Sequence, residues 1–192
     1  MSRSSGTRTL RTTQPSRWGT AGRDTLDRLL VRVPALAGLV SRGLRRLGPG
    51  SSMRRGLLDA QVKRAFAAMA RSDVEVLLLS YEPAAEIWMR SMAGVGMNDC
   101  YLGHHGFRTL YADLDEVFSD WSWTPRQVRD GGDRLAIRAD FVGHGRGSGV
   151  ETRVRDGGTA VRFSARGLVI WQEWFAEQEG WKKALEAAGL SE

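Results

Sequence analysis

The stretch FRTLYADLDEVFSDWSWTPRQVRDGGDRLAIRADF, residues 107–141, contains the change of hydrophobic period that decides the fold class. Its first half predicts a helix, because apolar residues recur at helical spacing at Phe107, Leu110, Tyr111, Leu114, Phe118 and Trp121. Its second half predicts a strand with one buried face, because apolar and polar side chains alternate from Arg134 to Phe141. A long helix is therefore followed by a strand.

The residues before this stretch predict further helices and one short strand. An apolar stripe from Leu58 to Met69 predicts a first helix of the domain. The S-x-x-E pattern of Ser72 and Glu75 is typical of a capping box, and it predicts a second helix through Tyr81. AEIWM, residues 85–89, reads as a short strand.

The residues after it predict strands joined by turns. DGGD at 130–133, DGG at 156–158 and ARG at 165–167 are typical turn sequences. A closing helix is expected over residues 177–188, with Gly189 just beyond it. Because helices come first and an antiparallel sheet follows, the predicted class is α+β.

The glycine-rich stretch GHGRGSG, residues 143–149, raises the question of a phosphate site. A dinucleotide loop needs its glycines between a strand and a helix, whose N-terminus receives the phosphate. Here a strand follows, so we interpret the stretch as a bend or bulge between two antiparallel strands, and we expect no bound cofactor.

Charge divides the chain into two parts. Residues 1–56 hold 12 arginines and two acids, whereas residues 57–192 hold 16 basic and 20 acidic residues. The domain therefore lacks the basic character of a nucleic-acid-binding domain, and its partner is not expected to be a nucleic acid. We divide the chain into a basic arm, residues 1–52, and a domain, residues 53–192.

The arm is expected to be partly disordered over residues 1–22 and to pack little against the domain. Leucines and valines at helical spacing predict an amphipathic helix over residues 24–47 that Pro34 kinks or splits. Weak contact with a membrane surface is one reading of this segment. A helix docked on the domain, a solvated tail, and a start codon placed too far upstream are others.

The single cysteine, Cys100, cannot form an internal disulfide, and no apolar run has the length of a membrane span. These features favour a cytoplasmic location.

The order of elements resembles the SnoaL-like group of the nuclear transport factor 2-like superfamily. GHHGFRTLYADLDEVFSDWSWTP is similar to that group's Gly-His-x-Gly opening of the third helix, and GDRLAIRADFVGHGRGSGVE to its glycine-interrupted long strand. The resemblance covers about residues 57–190. It implies a cone-shaped, strongly curved antiparallel sheet wrapped around the N-terminal helices, with a pocket at the open end, and often a homodimer.

The resemblance also implies three kinds of activity, namely ketosteroid isomerase, polyketide cyclase and epoxide hydrolase. The isomerase branch has a tyrosine on the first helix, where this chain has Phe66, and an aspartate near the first short strand, where it has Glu86. The cyclase branch has an acid near the end of the last strand, where the nearest match is Ala176 with Glu173 and Glu177 close by. Neither pattern carries over cleanly.

The resemblance places six side chains around the pocket mouth: Trp88, Tyr101, His104, Tyr111, Trp123 and Glu173. His104 and Glu173 are the candidates for an acid–base role. A metal site is not expected, because the adjacent His104 and His105 point apart on an extended backbone and no spaced carboxylate completes a ligand set. Asp140 faces either the pocket or the outside, with Arg138, and the strand pattern leaves both possibilities open.

Three functions fit these observations. The first is binding of a hydrophobic small molecule in an apolar, aromatic-lined pocket. The second is an acid–base enzyme that uses the same pocket, and the third is an accessory dimerisation module. The identity of the ligand does not follow from the sequence.

Overall fold

A computed structural model of the protein describes residues 8–9 and 25–191. It has the α+β class that the sequence predicts. The helices are α1 Thr25–Arg32, α2 Pro34–Arg46, α3 Ser52–Ala70, α4 Val74–Leu78, α5 Gly103–Val117 and α6 Gly180–Ala188. The strands are β1 Arg8–Thr9, β2 Tyr81–Trp88, β3 Cys100–Leu102, β4 Phe118–Asp130, β5 Arg134–Gly145, β6 Glu151–Phe163 and β7 Val169–Phe175. None of the helices in these ranges has the length and hydropathy needed to cross a membrane.

The strands form one sheet in the order β1-β4-β5-β6-β7-β2-β3. Every neighbouring pair is antiparallel except β2 and β7, which are parallel. The sheet is curved and does not close, and its inner face packs against α3, α4 and α5 in the main core. The predicted cone-like architecture is confirmed.

The two faces of the sheet carry different partners. Leu135, Ile137 and Val161 point into the main core with α3 and α4. Ala136 and Ala160, one position away on the same strands, point to the outer face and form a second core with α6. This follows from the two-residue period of a strand.

The motif that opens the third predicted helix has a steric explanation. Gly103 has φ +65°, and a Cβ there would lie 2.5 Å from the carbonyl oxygen of Pro83. A Cβ on Gly106 would lie 2.8 Å from the carbonyl carbon of Tyr101. Only glycine permits both approaches, so this pair lets α5 begin directly after β3 and against β2.

That helix ends earlier than its periodicity predicts. Phe118 and Trp121 belong to β4, although both are buried as the helical stripe required. The pairing of β4 with β5 shifts register between Phe118 and Asp120. This irregularity turns Trp121 toward the core, and so the strand extends the buried face of the helix.

The predicted capping box is wrong. The N-cap of α4 is Asp73, whose carboxylate accepts a hydrogen bond from the backbone N–H of Val76, while Ser72 has φ +51°. Glu75 instead pairs with Arg108. The helix ends at Leu78, and Tyr81 begins a strand that includes all but the last residue of the short strand predicted over 85–89.

One of the three predicted turns is also wrong, whereas the other two and the glycine-rich bend are confirmed. DGG at 156–158 lies inside the continuous strand β6, where the pairing with β5 shifts register and Asp156 has φ +68°. It is a bulge rather than a turn. The 130–133 segment joins β4 to β5, and the 165–167 segment lies between β6 and β7. In the stretch 143–149, the first three residues end β5 and the others lead to β6, with Gly149 at φ +66°.

The N-terminal helices pack on the domain, and the expectation of little packing is wrong for them. Pro34 separates α1 from α2, as predicted, and Asp27, Leu30 and Leu44 are buried. Arg54 at the start of α3 donates to the carbonyl oxygens of Leu44 and Leu47, which fixes the end of α2.

The division of the chain at residue 52 remains a prediction. The disorder predicted for residues 1–22 lies, apart from the two residues of β1, outside the described residues.

Candidate functional site

A cavity of about 90 Å³ lies between α3, α4 and the inner face of strands β5, β6 and β7. Its wall is mostly aliphatic and aromatic: Leu58, Val62, Ala65, Phe66, Met69, Val76, Leu77, Leu135, Ile137, Val161, Phe163, Val169 and Trp174. An engineered apolar cavity of about 150 Å³ holds benzene, so this cavity has the scale of a small organic group.

A chain of neutral hydrogen bonds runs across the sheet side of the cavity. The Tyr81 hydroxyl donates to Oε1 of Gln172, and Nε2 of Gln172 donates to Oγ1 of Thr159 at 3.2 Å. The Thr159 hydroxyl in turn donates to the Glu173 carbonyl oxygen at 3.0 Å. All three side chains line the cavity, and Thr159 and Gln172 are buried. A buried polar group must be paired to be tolerated, and this chain supplies the pairs.

The phenol at the head of this chain is held in its neutral form. Burial raises the pKa of Tyr81 well above its usual range. Its oxygen keeps the ability to accept a hydrogen bond while its proton is donated to Gln172. A ligand with an N–H or O–H group therefore has an acceptor at this side of the cavity.

One charged residue takes part in the described lining. Arg64 on α3 contributes to the wall, and its Nε lies 3.6 Å from Oδ1 of Asp27 on α1. The other Asp27 oxygen accepts a hydrogen bond from Arg71 at 2.9 Å. Helix α1 thus reaches the cavity wall through Asp27, which ties the N-terminal helices to the site.

A second, smaller cavity of about 20 Å³ lies beneath α5. It shares Met69 and Trp174 with the first cavity, and Tyr111, Trp121 and Trp123 stand among its aromatic walls. Burial raises the pKa of the Tyr111 hydroxyl well above its usual range. The shared side chains place the two cavities next to each other.

The six residues predicted to surround the mouth are distributed over four places. Tyr111 and Trp123 lie together at the smaller cavity. Tyr101 is buried elsewhere, where its hydroxyl donates to Asp113 at 2.6 Å and accepts from the backbone N–H of Asn98. Nε2 of His104 lies 3.1 Å from the Tyr81 carbonyl oxygen.

Trp88 and Glu173 lie side by side on the pair formed by β2 and β7. Glu173 pairs with Arg90 at 2.9 Å, and the same guanidinium stacks on the Trp88 ring. Because Gln172 and Trp174 face the cavity, the intervening Glu173 points to the opposite face of the sheet. None of the six lines the larger cavity, and a ligand-binding or acid–base role for them remains a prediction.

Asp140 points to the outside of the sheet and not to the cavity. Its carboxylate accepts two hydrogen bonds from Arg126, at 2.7 and 2.8 Å, on the outer face of the sheet. Arg138 lies on the same face and pairs with Asp156. Asp140 is therefore not an acid of the cavity.

The polar residues of the larger cavity are not among the predicted site residues. The sequence predicts Tyr81 at the end of a helix, whereas it begins β2. Gln172 lies two positions before the apolar Trp174 on one strand, so the two-residue period of a strand predicts that both side chains point to the same face. Arg64 gave no such signal, because it lies at the edge of the apolar stripe of α3 and only the fold brings it to the cavity.

Metal binding gains no support from the described ranges, 8–9 and 25–191, where no cluster of three or more His, Cys, Asp or Glu side chains could hold an ion.

Residues 62–172 match the sequence model of the SnoaL-like domain, which is more than half of the chain. The chain belongs to the SnoaL-like family. The matched range contains the second half of α3, the helices α4 and α5, and the strands from β2 to the middle of β7. The family therefore includes nearly all of the elements that form both cavities.

Several solved structures share the fold. An NTF2-like protein of unknown function from Burkholderia pseudomallei superposes with a TM-score of 0.55 at 14% identity, over 66% of this chain and 93% of that one. TerC, co-crystallised with polyporic acid, gives 0.53 at 19% identity, over 65% and 95%. A SnoaL-like polyketide cyclase from Jannaschia, so described provisionally, gives 0.50 at 21% identity, over 59% and 81%. No match was found among curated protein sequences.

Proposed function

We propose that this SnoaL-like protein binds a largely apolar small molecule in the cavity between α3 and the inner face of the sheet. The observation that carries the proposal is the composition of the wall, which is apolar except for a few side chains that can orient a ligand. Small-molecule sites typically combine a hydrophobic lining with a few well-placed polar groups. Affinity would come chiefly from burial of apolar surface, at about 25 cal/mol per Å².

The polar groups support binding in one orientation. Tyr81 and Gln172 are fixed by the hydrogen-bond chain that ends at the Glu173 carbonyl oxygen. A fixed phenol and amide recognise one polar group of a ligand without a large loss of side-chain entropy. The described lining includes no carboxylate or imidazole, and the candidates His104 and Glu173 lie outside it. We therefore propose binding before acid–base catalysis.

The experiment is a thermal-shift screen of steroids, terpenes, polyketide-like aromatics and smaller organic fragments, with two variants as controls. Ala65 lines the cavity on α3, whereas Ala67 is exposed on the same helix. Ala65→Leu projects its side chain into the cavity, and Ala67→Leu makes the same change on the outside. Compounds that raise the Tm of the wild type and of Ala67→Leu, but not of Ala65→Leu, support the proposal.

The opposite result would overturn the proposal. If every stabilising compound raises the Tm of the wild type and of Ala65→Leu equally, the compounds bind outside this cavity. Retained folding of both variants is checked by circular dichroism, so that a lost response is not mistaken for a lost fold.

A further inference from the structure

Arg64 is an unusual member of the cavity wall, because it brings a full positive charge to an otherwise neutral surface. The remaining described lining residues are apolar or carry hydroxyl and amide groups. The Arg64 side chain is about one-fifth exposed. A partly buried guanidinium is costly unless it is paired with an anion or well hydrogen-bonded.

Among the residues that the structure describes, the hydrogen-bonding capacity of Arg64 is largely unused. Within these residues its one ion pair joins Nε to Asp27 at 3.6 Å, which is longer than a hydrogen bond, and its two terminal nitrogens have no hydrogen-bond partner. Arg54 on the same helix provides a contrast, because it binds both oxygens of Asp130 and the carbonyl oxygens of Leu44, Leu47 and Gly132. The Arg54 guanidinium is fully used in contacts within the fold, whereas the Arg64 guanidinium has N–H donors that no described residue accepts.

Asp27 does not balance the local charge. It lies between two arginines, Arg64 and Arg71, and its shorter contact is with Arg71. These three groups carry one net positive charge at the cavity wall. Arg71 takes no part in the described lining, so Arg64 is the member of the triad that can meet a ligand.

Resting on the proposed function, we propose further that the ligand is an apolar molecule with one anionic group, and that Arg64 binds this group. A carboxylate matches the guanidinium fork, which can donate two parallel hydrogen bonds to it. The apolar body then lies against Ile137, Val161 and Trp174, which line the same cavity. Arg64 is in this view the residue that selects an acid over its neutral analogue.

The test uses matched pairs of probes that differ only in charge. Straight-chain carboxylates from butyrate to decanoate, and the primary amide of each, are titrated into the full-length protein by isothermal calorimetry. The wild type is expected to bind the best carboxylate about 10-fold or more tightly than its amide, because a hydrogen bond to a charged group stabilises more than a neutral one. Arg64→Gln is expected to remove this preference while it leaves amide binding nearly unchanged.

Two further variants make the result specific. Arg71→Gln removes the neighbouring guanidinium, which also binds Asp27 but does not line the cavity. Because Asp27 then neutralises Arg64 more fully, this variant is expected to weaken the preference without removing it. Arg64→Lys keeps the positive charge but lacks the two parallel donors of the guanidinium, and it is expected to retain part of the preference for carboxylates. Unfolding temperatures of all variants are measured, so that a variant that fails to fold is recognised, and Arg64→Lys then carries the test.

The outcomes separate the two proposals. Equal binding of acids and amides by the wild type, or an unchanged preference in Arg64→Gln, would overturn the role of Arg64 and leave the binding function intact. Binding of neither series would overturn the proposed function for this class of ligand, and the present inference with it.

Discussion

The two faces of the sheet differ in how their polar side chains are paired. On the inner face, the polar residues Thr159 and Gln172 are buried, neutral and joined in one hydrogen-bond chain. On the outer face, beyond α6, the polar residues are paired charges such as Arg126 with Asp140. Gln172 and Glu173 are neighbours in sequence, yet the strand sends one to each face. The cavity thus receives no carboxylate from the described strands, and the one charged side chain of its described lining comes from a helix.

The largest expected effect comes from moving a carboxylate to the inner face. Gln172→Glu places a buried charge against Tyr81 and Thr159 and removes the amide donor to Thr159. We expect the free energy of unfolding to fall by about 2–4 kcal/mol at neutral pH, because burial disfavours a carboxylate much more strongly than a neutral amide. Urea unfolding measures this change.

The pH dependence of that loss follows from the sign of the pKa shift. Burial would raise the pKa of the new carboxyl above its unfolded value of about 4.3. The loss should therefore be smallest below this value and grow as pH rises toward the folded pKa. Glu173→Gln is the matched control. It leaves Arg90 without its partner, but Arg90 is more than half exposed and can be hydrated, so we expect a loss of about 1 kcal/mol. If Gln172→Glu lowers the free energy of unfolding no more than Glu173→Gln does, the inner face tolerates a carboxylate as well as the outer face, and the contrast between the two faces is wrong.

A smaller effect is expected from removing the Tyr81 hydroxyl, which is the first donor of the hydrogen-bond chain on the inner face. Tyr81→Phe leaves Oε1 of Gln172 buried without the donor that now satisfies it. The expected cost is about 1–2 kcal/mol, typical of one unpaired buried acceptor. Thermal unfolding checks this value, and Tyr101→Phe provides a hydroxyl deletion away from the cavity. The same Tyr81→Phe variant should bind the best screening compound more weakly, whereas Tyr101→Phe should not.

The outer face should be more tolerant. Arg126→Gln removes both hydrogen bonds to Asp140, but the arginine is about half exposed. We expect a loss below about 1 kcal/mol, because exposed ion pairs are screened by water and lose side-chain entropy on forming. A loss as large as that of Tyr81→Phe would show that the outer charges stabilise the fold as strongly as the inner chain does.

Those elements that the sequence predicted correctly are the ones whose signal is local. The alternation around Ile137 identified β5, the turn residues at 130–133 marked its start, and Gly189 marked the end of α6. The capping box and the DGG turn were wrong because each pattern fits two backbone conformations, and tertiary pairing decided between them. In β6, pairing with β5 continues through Asp156 as a bulge.

The site was harder to predict than the fold, because it is assembled from distant segments. Arg64 on α3, Tyr81 on β2, and Gln172 on β7 meet only after the sheet has curved around the helices. The resemblance led to aromatic and titratable residues, which are common at active sites. Neutral residues such as Thr159 and Gln172 give no comparable signal in a sequence, although their strand parity places them on the inner face.

The smallest expected effect lies at the far end of the outer face, where His144 in β5 is held between two carboxylates. Its Nδ1 lies 2.6 Å from Asp120 and its Nε2 lies 3.4 Å from Glu151. The hydrogen bond to Asp120 is the main cause that raises the pKa of His144 above its usual value of 6.5. A folded pKa above the unfolded one means that the protonated imidazole stabilises the fold. This contribution should be complete below pH 6.5 and should disappear as pH rises through the folded pKa. His144→Gln should therefore be slightly less stable than the wild type in acid and equal to it in alkali, and an NMR titration of the imidazole should give a midpoint above 6.5. A midpoint at or below this value would show that water screens both carboxylates completely, so that charge pairing on the outer face contributes nothing measurable at this site.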